Sequence, residues 1–213
     1  VAIHAPATGV VKRIAPSPSI KGKMEPAFFI EPFPASTQEV AEETPCDFES
    51  AGPAEILSAI QHAGIVGLGG AAFPTHAKLS IPDGKSVDTI VINGAECEPY
   101  LTTDHRVMLE HADDVMTGVR YVLKATQAER AIIAVEANKL NAAETLRSAI
   151  PPNIPVSVEV LPVKYPQGAE KMLIQAVLDR EVPSGGLPID QHAICINVGT
   201  TAEIGRLLPH GRG

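Results

Sequence analysis

The sequence predicts an α/β protein: a parallel sheet with helices on both faces, preceded by an N-terminal β appendage. Three observations carry that expectation. From Pro53 onward, short β-branched apolar runs alternate with longer stretches of helical periodicity, the pattern of parallel strands joined by crossover helices. Residues 1–50 lack this alternation and carry Pro16, Pro18, Pro26, Pro32, Pro34 and Pro45, which exclude helix there. Apolar residues make up 45% of the 213, aromatics only 4%, and Trp is absent, so the core must be built mainly from Val, Ile, Leu and Ala. The expected division is 1–50 as a β-rich strap or half-barrel and 51–213 as the α/β domain.

The segment His4–Ile14 reads as a turn and strand. Its Ala-Pro-x-x-Gly-x-Val-x-x-Ile pattern is similar to the half-barrel of biotinyl and lipoyl modules. That chemistry needs a carrier lysine in a hairpin, and Lys21-Gly22-Lys23-Met24 is a poor substitute, so a structural appendage is expected. Pro53–Ala63 reads as a helix, with proline at its start and Gly64 as its stop. Asp88–Asn93 is a buried strand by its apolar, β-branched run. Asp104 is placed to cap one long helix through about Thr126, with an apolar stripe running from Met108 through Ala112, Val115 and Val119 to Leu123. Ala131–Glu136 is the second strand, and Asn138 caps a helix to Ala149. Val156–Leu161, Ala169–Leu178 and Ala193–Val198 read as strand, helix and strand.

In a sheet of this kind ligands sit beyond the carboxyl ends of the strands. Three segments fall there: Asn93–Tyr100, Tyr165–Lys171 and Asn197–Thr201. A fourth segment, Gly64–Lys78, holds Gly67, Gly69 and Gly70 and then Lys78. Small residues let a ligand approach the backbone, and amides leading into a helix start favour an anion. The stretch reads as a phosphate cradle followed by a cationic side chain, or equally as a glycine-rich connection between two helices. It is neither a dinucleotide fingerprint, since no strand precedes it, nor a Walker loop, since no Gly-Lys-Ser/Thr follows. Glu96 and Glu98 read either as site acids or as solvated acids near a helix start, and Asn93 reads also as a plain turn residue.

Several classes are disfavoured. Acidic groups outnumber basic ones 25 to 17, for a net charge of −8, and no long basic run appears, which argues against nucleic acid or an anionic membrane surface. Cys46, Cys97 and Cys195 are far apart with no CxxC, and His62, His76 and His105 show no ligand spacing, so neither a disulfide framework nor a metal site is expected. Cys97 lies between Glu96 and Glu98, like charges that work against a thiolate nucleophile. No apolar run approaches membrane-spanning length, no signal peptide is evident, and cysteine usage fits a reducing cytosolic setting. Val1 in place of Met and the end at Gly213 suggest a piece of a longer protein.

Four motifs then carry a resemblance. Gly67-Leu-Gly-Gly-Ala-Ala-Phe-Pro-Thr-His-Ala-Lys78 resembles the glycine-rich loop of the flavin-bearing, NADH-oxidising subunit of respiratory complex I. Asn93-Gly-Ala-Glu-Cys-Glu-Pro99 is similar to that family's Asn-Ala-Asp-Glu-x-Glu-Pro, and Tyr165–Leu173 to its Tyr-x-x-Gly-Glu-Glu-Thr-x-Leu. Ile92–Tyr100, Tyr165-Pro166 with Gly168, Glu170 and Lys171, and the His4-Ala5-Pro6 opening more closely resemble the C subunit of Rnf-type ion-translocating electron-transport complexes. The resemblance implies a complex I flavoprotein-like, Rossmann-like sheet and a non-covalent FMN that accepts hydride from NADH. It implies FMN contacts at Gly67, Gly69, Gly70, Lys78, Asn93, Glu96, Tyr165, Gly168 and Asn197, and NADH contacts at Phe73, Glu98 and Glu170. It implies 4Fe-4S clusters in the full-length protein but not in this stretch. The other Rnf-type subunits would be partners, at the cytoplasmic face of the cell membrane, with no span of its own.

The sequence departs from the complex I pattern at Leu68, where that family has Arg, at Gly94 and Ala95, where it has Ala and Asp, and at Ala169, where it has Glu. These departures motivate a second expectation, a docking scaffold on a vestigial flavin fold. A third is a binder of sugar nucleotides or other phosphates.

Overall fold

A computed structural model of the chain describes residues 2–19, 22–34 and 44–213. The chain divides into two compact units, Ile3–Glu42 and Glu43–Gly213, the latter with Val1–Ala2. In the smaller unit, β1 (Gly9–Pro18) and β2 (Met24–Pro32) pair antiparallel with an irregularity between Val11 and Arg13. Lys12 Nζ pairs with Glu31 across the hairpin, and the Arg13 guanidinium stacks over the Phe29 ring at 4.1 Å. Of the would-be carrier segment, Lys21 lies outside the described residues. Residues 44–50, expected in the appendage, belong to the larger unit: Tyr121 Oη donates to the Cys46 carbonyl at 2.5 Å, and the Phe48 ring meets Tyr121 edge-on at 5.3 Å.

The larger unit is ordered α1 (Pro53–His62), α2 (Thr75–Leu79), β3 (Thr89–Asn93), α3 (Thr103–Glu110), α4 (Ala112–Thr126), β4 (Arg130–Glu136), α5 (Leu140–Ala149), β5 (Val156–Leu161), α6 (Glu170–Leu178), β6 (Ala193–Asn197) and α7 (Val198–Leu207). The four strands are parallel in the order β5-β4-β3-β6. Alternation along them makes two cores. Ile90, Ile92, Ile133, Val135, Ile194 and Ile196 pack against α1, α4, α5 and α7, through Ile56, Ile60, Val115, Val119, Leu146 and Ile204. Val91, Ala134, Leu161 and Cys195 pack on the opposite face against Leu173 and Ile174 of α6. The expected helices on both faces are therefore present, and burial pushes the Cys195 thiol up to about 12.

Three expectations need correction. The single helix from Asp104 to Thr126 is two: α3 ends at Glu110, and His111, at φ −128° and ψ 32°, breaks the run before α4 begins. The apolar stripe conceals this because Met108 and Ala112 are buried on both sides of the break. Asn138 does not cap α5. It lies inside a 3₁₀ turn, Ala137–Lys139, that leads into it. The strand at 193–198 stops at Asn197, and Val198–Leu207 forms α7, a helix that the sequence pattern does not announce.

α4 and α7 cross at glycines. A Cβ on Gly118 would stand 1.8 Å from the Thr201 carbonyl oxygen, and one on Gly205 would stand 1.9 Å from that of Asp114. Only hydrogen fits at either point, so the two backbones touch. This contact fixes α7, which starts directly after the carboxyl end of β6, against α4.

Candidate functional site

β3, β4 and β5 succeed one another in one direction, and β6 then returns to the far side of β3. The order therefore reverses between β3 and β6, where open α/β sheets place their ligands. Both strands end in asparagine, and Asn93 and Asn197 are register partners. A cleft of about 880 Å³ opens beside them.

Each asparagine is held by its own bonds. Asn93 donates Nδ2–H to the Gly168 carbonyl at 2.9 Å and accepts the Ala95 N–H at 3.0 Å. This draws the loop after β5 onto the loop after β3. Gly168 N–H also points to Cys97 Sγ at 3.1 Å, and a Cβ there would stand 3.0 Å from the Ala95 carbonyl oxygen. Asn197 is the N-cap of α7: its Oδ1 accepts the Thr200 N–H at 3.0 Å, and its Nδ2 donates to Asp104 Oδ2 at 2.6 Å. Capping by this side chain leaves the remaining first-turn amides of α7 for a ligand. Thr200 Oγ1 in turn accepts the Leu68 N–H at 2.9 Å, which ties the glycine-rich loop to α7.

Below the cleft lies a buried charge cluster. Glu96, its side chain 1% exposed, accepts the α3 amides of Asp104 at 2.7 Å and His105 at 3.3 Å. Lys139, 8% exposed, reaches Glu96 at 3.3 Å and Glu136 at 2.9 Å. Glu136 also accepts the Glu96 N–H at 3.2 Å. Two carboxylates thus share one ammonium. Asp104 sits above them. Burial is the main force raising its carboxyl, Glu96 and Glu98 add to it, the Asn197 hydrogen bond and Lys139 oppose it, and the result is about 6.

Of the expected residues, Gly69, Gly70, Asn93, Glu96, Glu98, Tyr165, Gly168 and Asn197 line the cleft together. Gly67, Phe73, Lys78 and Glu170 stand outside its walls. Gly67 N–H closes the glycine-rich loop onto the Phe73 carbonyl at 2.9 Å. Lys78 Nζ pairs with Glu170 Oε1 at 2.7 Å, so each occupies the other. The expected helix start behind the loop is corrected too: α2 has five residues and no side-chain cap, too short for much of a dipole. α7 brings its N-cap Asn197 and first-turn Gly199 to the cleft wall. Gly70, at φ +109° with nothing within 4 Å of where a Cβ would stand, leaves the loop backbone open. Gly94 has a packing reason: a Cβ there would meet Met108 Sδ at 2.8 Å.

Asp104, Glu136 and Lys139 carry no sequence signal of a site. Asp104 looks like a helix cap and Glu136 like the last residue of a strand, and their partners lie 93 and 40 residues away in sequence. Among the described residues no group of His, Cys, Asp and Glu could hold a metal ion, and no helix is long and apolar enough to cross a membrane.

Residues 60–206 match the family model of the Nuo51 FMN-binding domain. The chain belongs to this family. One curated relative of this FMN-binding domain is the C subunit of a proton-translocating ferredoxin:NAD(+) oxidoreductase complex of Clostridium ljungdahlii. It is 51% identical over 157 residues, which cover 74% of this chain and 34% of the relative. The C subunit of the Na(+)-translocating ferredoxin:NAD(+) oxidoreductase complex of Acetobacterium woodii is 44% identical, covering 96% and 46%. The C subunit of the ion-translocating oxidoreductase complex of Pseudomonas aeruginosa is 39% identical, covering 99% and 27%. These relatives bear out the resemblance to C subunits, and the chain spans less than half the length of each. A crystal structure of an air-oxidised NAD+-reducing NiFe-hydrogenase shares the fold, with a TM-score of 0.61 at 21% identity over 83% of this chain and 36% of that one.

The residues present fit FMN. The cleft lies within the roughly 300–1,000 Å³ of cofactor sites. Its open glycine backbone suits a planar ring, its paired amides suit ribityl hydroxyls and ring carbonyls, and the first turn of α7 suits a phosphate. The walls are otherwise acidic: Glu96, Glu98, Asp104, Asp114 and Glu203 face Arg206 and His111, and Arg206 is already bonded to Glu203 at 2.6 Å.

Proposed function

We propose that this chain is the FMN-binding, NADH-oxidising electron-input segment of an ion-translocating electron-transport complex. It acts at the cytoplasmic face of the membrane and passes electrons to 4Fe-4S clusters elsewhere in the full-length protein. The observation that carries the reading is the register pair Asn93 and Asn197 at the reversal of strand order, with the Gly69–Gly70 backbone opening on the same cleft. FMN, when bound, supplies acceptance of a hydride and release of single electrons.

The chain's part is placement. Gly69, Gly70 and Gly168 give close backbone approach, Asn93 and Asn197 orient polar edges, and the first turn of α7 holds the phosphate. Tyr165, exposed at the mouth, offers a ring face. Glu98, exposed on the wall, is assigned to the ribose or carboxamide of NADH. Glu96 serves from beneath, by fixing α3. NADH and the other complex subunits are the proposed partners.

The test is anaerobic titration of the chain with FMN, followed by NADH. Retention of FMN and bleaching of the flavin absorbance are the expected results. Failure to retain FMN overturns the reading. Retention without bleaching favours a docking domain on the same fold, a second reading that the Lys78–Glu170 pairing and the acidic walls motivate.

A further inference from the structure

Asp104 holds two sets of contacts that point in opposite directions. Its main-chain N–H goes down to Glu96 Oε1 at 2.7 Å, while its carboxylate turns to Asn197 at the end of β6, with Oδ2 accepting from Asn197 Nδ2 at 2.6 Å. The other oxygen, Oδ1, lies 3.1 Å from the point a Cβ on Gly199 would occupy. The carboxylate therefore faces the first turn of α7, the place where a helix N-terminus attracts an anion. A ligand phosphate directed to that turn meets a negative charge already there.

The surroundings give that charge little support. Glu96 and Glu98 come from the segment after β3, Glu136 from β4, and Lys139, shared by Glu96 and Glu136, from the 3₁₀ turn. Across the cleft stand Asp114 of α4, bonded to His111 at 3.1 Å, and Glu203 of α7, bonded to Arg206 at 2.6 Å. His105, the next residue on α3, is bonded to Asn141 of α5 at 3.0 Å. No cation is directed at the Asp104 carboxylate itself among these contacts, and its carboxyl already stands near 6 before any ligand arrives. A dianion within a few ångströms raises it further.

Resting on the FMN reading, we propose that Asp104 is the proton-coupled positioning residue of this cleft: a phosphate dianion enters the first turn of α7 together with one proton from solvent. An O–H bond forms at Asp104. The carboxyl oxygen that stays unprotonated keeps Asn197 Nδ2, so Asn197 holds its capping orientation while the repulsion is removed. Binding takes up a proton, so affinity must fall as pH rises through and above the unliganded value.

Calorimetric titration of the full chain with FMN, in buffers of different ionisation heat, measures the uptake directly. At pH 7.5, where the ester is dianionic, uptake of close to one proton per FMN is expected. Affinity should fall by up to roughly tenfold per pH unit between about 6.5 and 8, the slope of one linked proton. Riboflavin, which lacks the phosphate, should bind without uptake. In Asp104→Asn the slope and the uptake should vanish, and FMN should bind more tightly than to the parent at pH 8. FMN binding by the parent without proton uptake overturns this inference and leaves the flavin assignment standing. Equal uptake with riboflavin also overturns it, because the linkage would then belong to the ring. Absence of FMN binding at every pH overturns both. The parent's uptake decides the matter even if Asp104→Asn does not fold.

Discussion

The glycine-rich loop with α2 and the strand-end asparagines with α7 both have the makings of an anion cradle, and the two are built differently. The loop has the glycines, but its helix is five residues long and its lysine is bound to Glu170, both side chains more than a third exposed. α7 has ten residues, a side-chain cap and a backbone contact with α4, and its cap Asn197 bonds to Asp104, whose amide rests on the buried Glu96–Lys139–Glu136 cluster. Glycines tell where a ligand can approach. On the proposed reading, the field that receives it comes from a helix terminus whose sequence, Val198-Gly199-Thr200-Thr201, looks like a loop.

That contrast can be broken most forcibly at the floor. Lys139→Met leaves Glu96 and Glu136 buried without their cation, and a loss of about 3–5 kcal/mol in denaturant unfolding is expected. Lys78→Met removes a half-exposed pair and should cost under about 1 kcal/mol. Equal costs would erase the distinction between the two regions. Gly118→Ala forces α4 and α7 apart and should cost about 3 kcal/mol, with FMN affinity reduced alongside. Unchanged affinity would detach the crossing from the site. Asn197→Ala removes the cap, for about 1 kcal/mol, and should weaken FMN binding more than Lys78→Met does.

Asp104 supplies an effect of a different kind, the shape of the pH dependence. Its folded-state value, about 6, lies above the ordinary 3.8. The folded protein therefore binds more protons between these values, and the contribution is present below about 4 and lost as pH rises through about 6. Thermal unfolding of the parent should show that decline, and Asp104→Asn should flatten it.

The strands of the parallel sheet are legible almost to the residue because each is a short β-branched run: β5 has the ends its sequence predicts, and β3, β4 and β6 agree to within one residue. The break at His111 is hidden because burial continues across it. α7 is hidden because a glycine and two threonines open it and a second glycine, Gly205, sits inside it, residues of low helix propensity that tertiary packing overrides. Eight of the twelve expected site residues meet at one cleft, since they follow strands whose ends the parallel topology gathers. The Glu136–Lys139 floor is illegible because its value depends on Glu96, brought from another strand.

The glycine crossing of α4 and α7 also bears on how such a protein can change. Where two main chains touch with only hydrogens between them, no side chain can be enlarged without moving a helix. The crossing is thus closed to gradual remodelling, and a new preference among ligands is more readily acquired at the outer lip, around the exposed Tyr165, away from the α4–α7 contact.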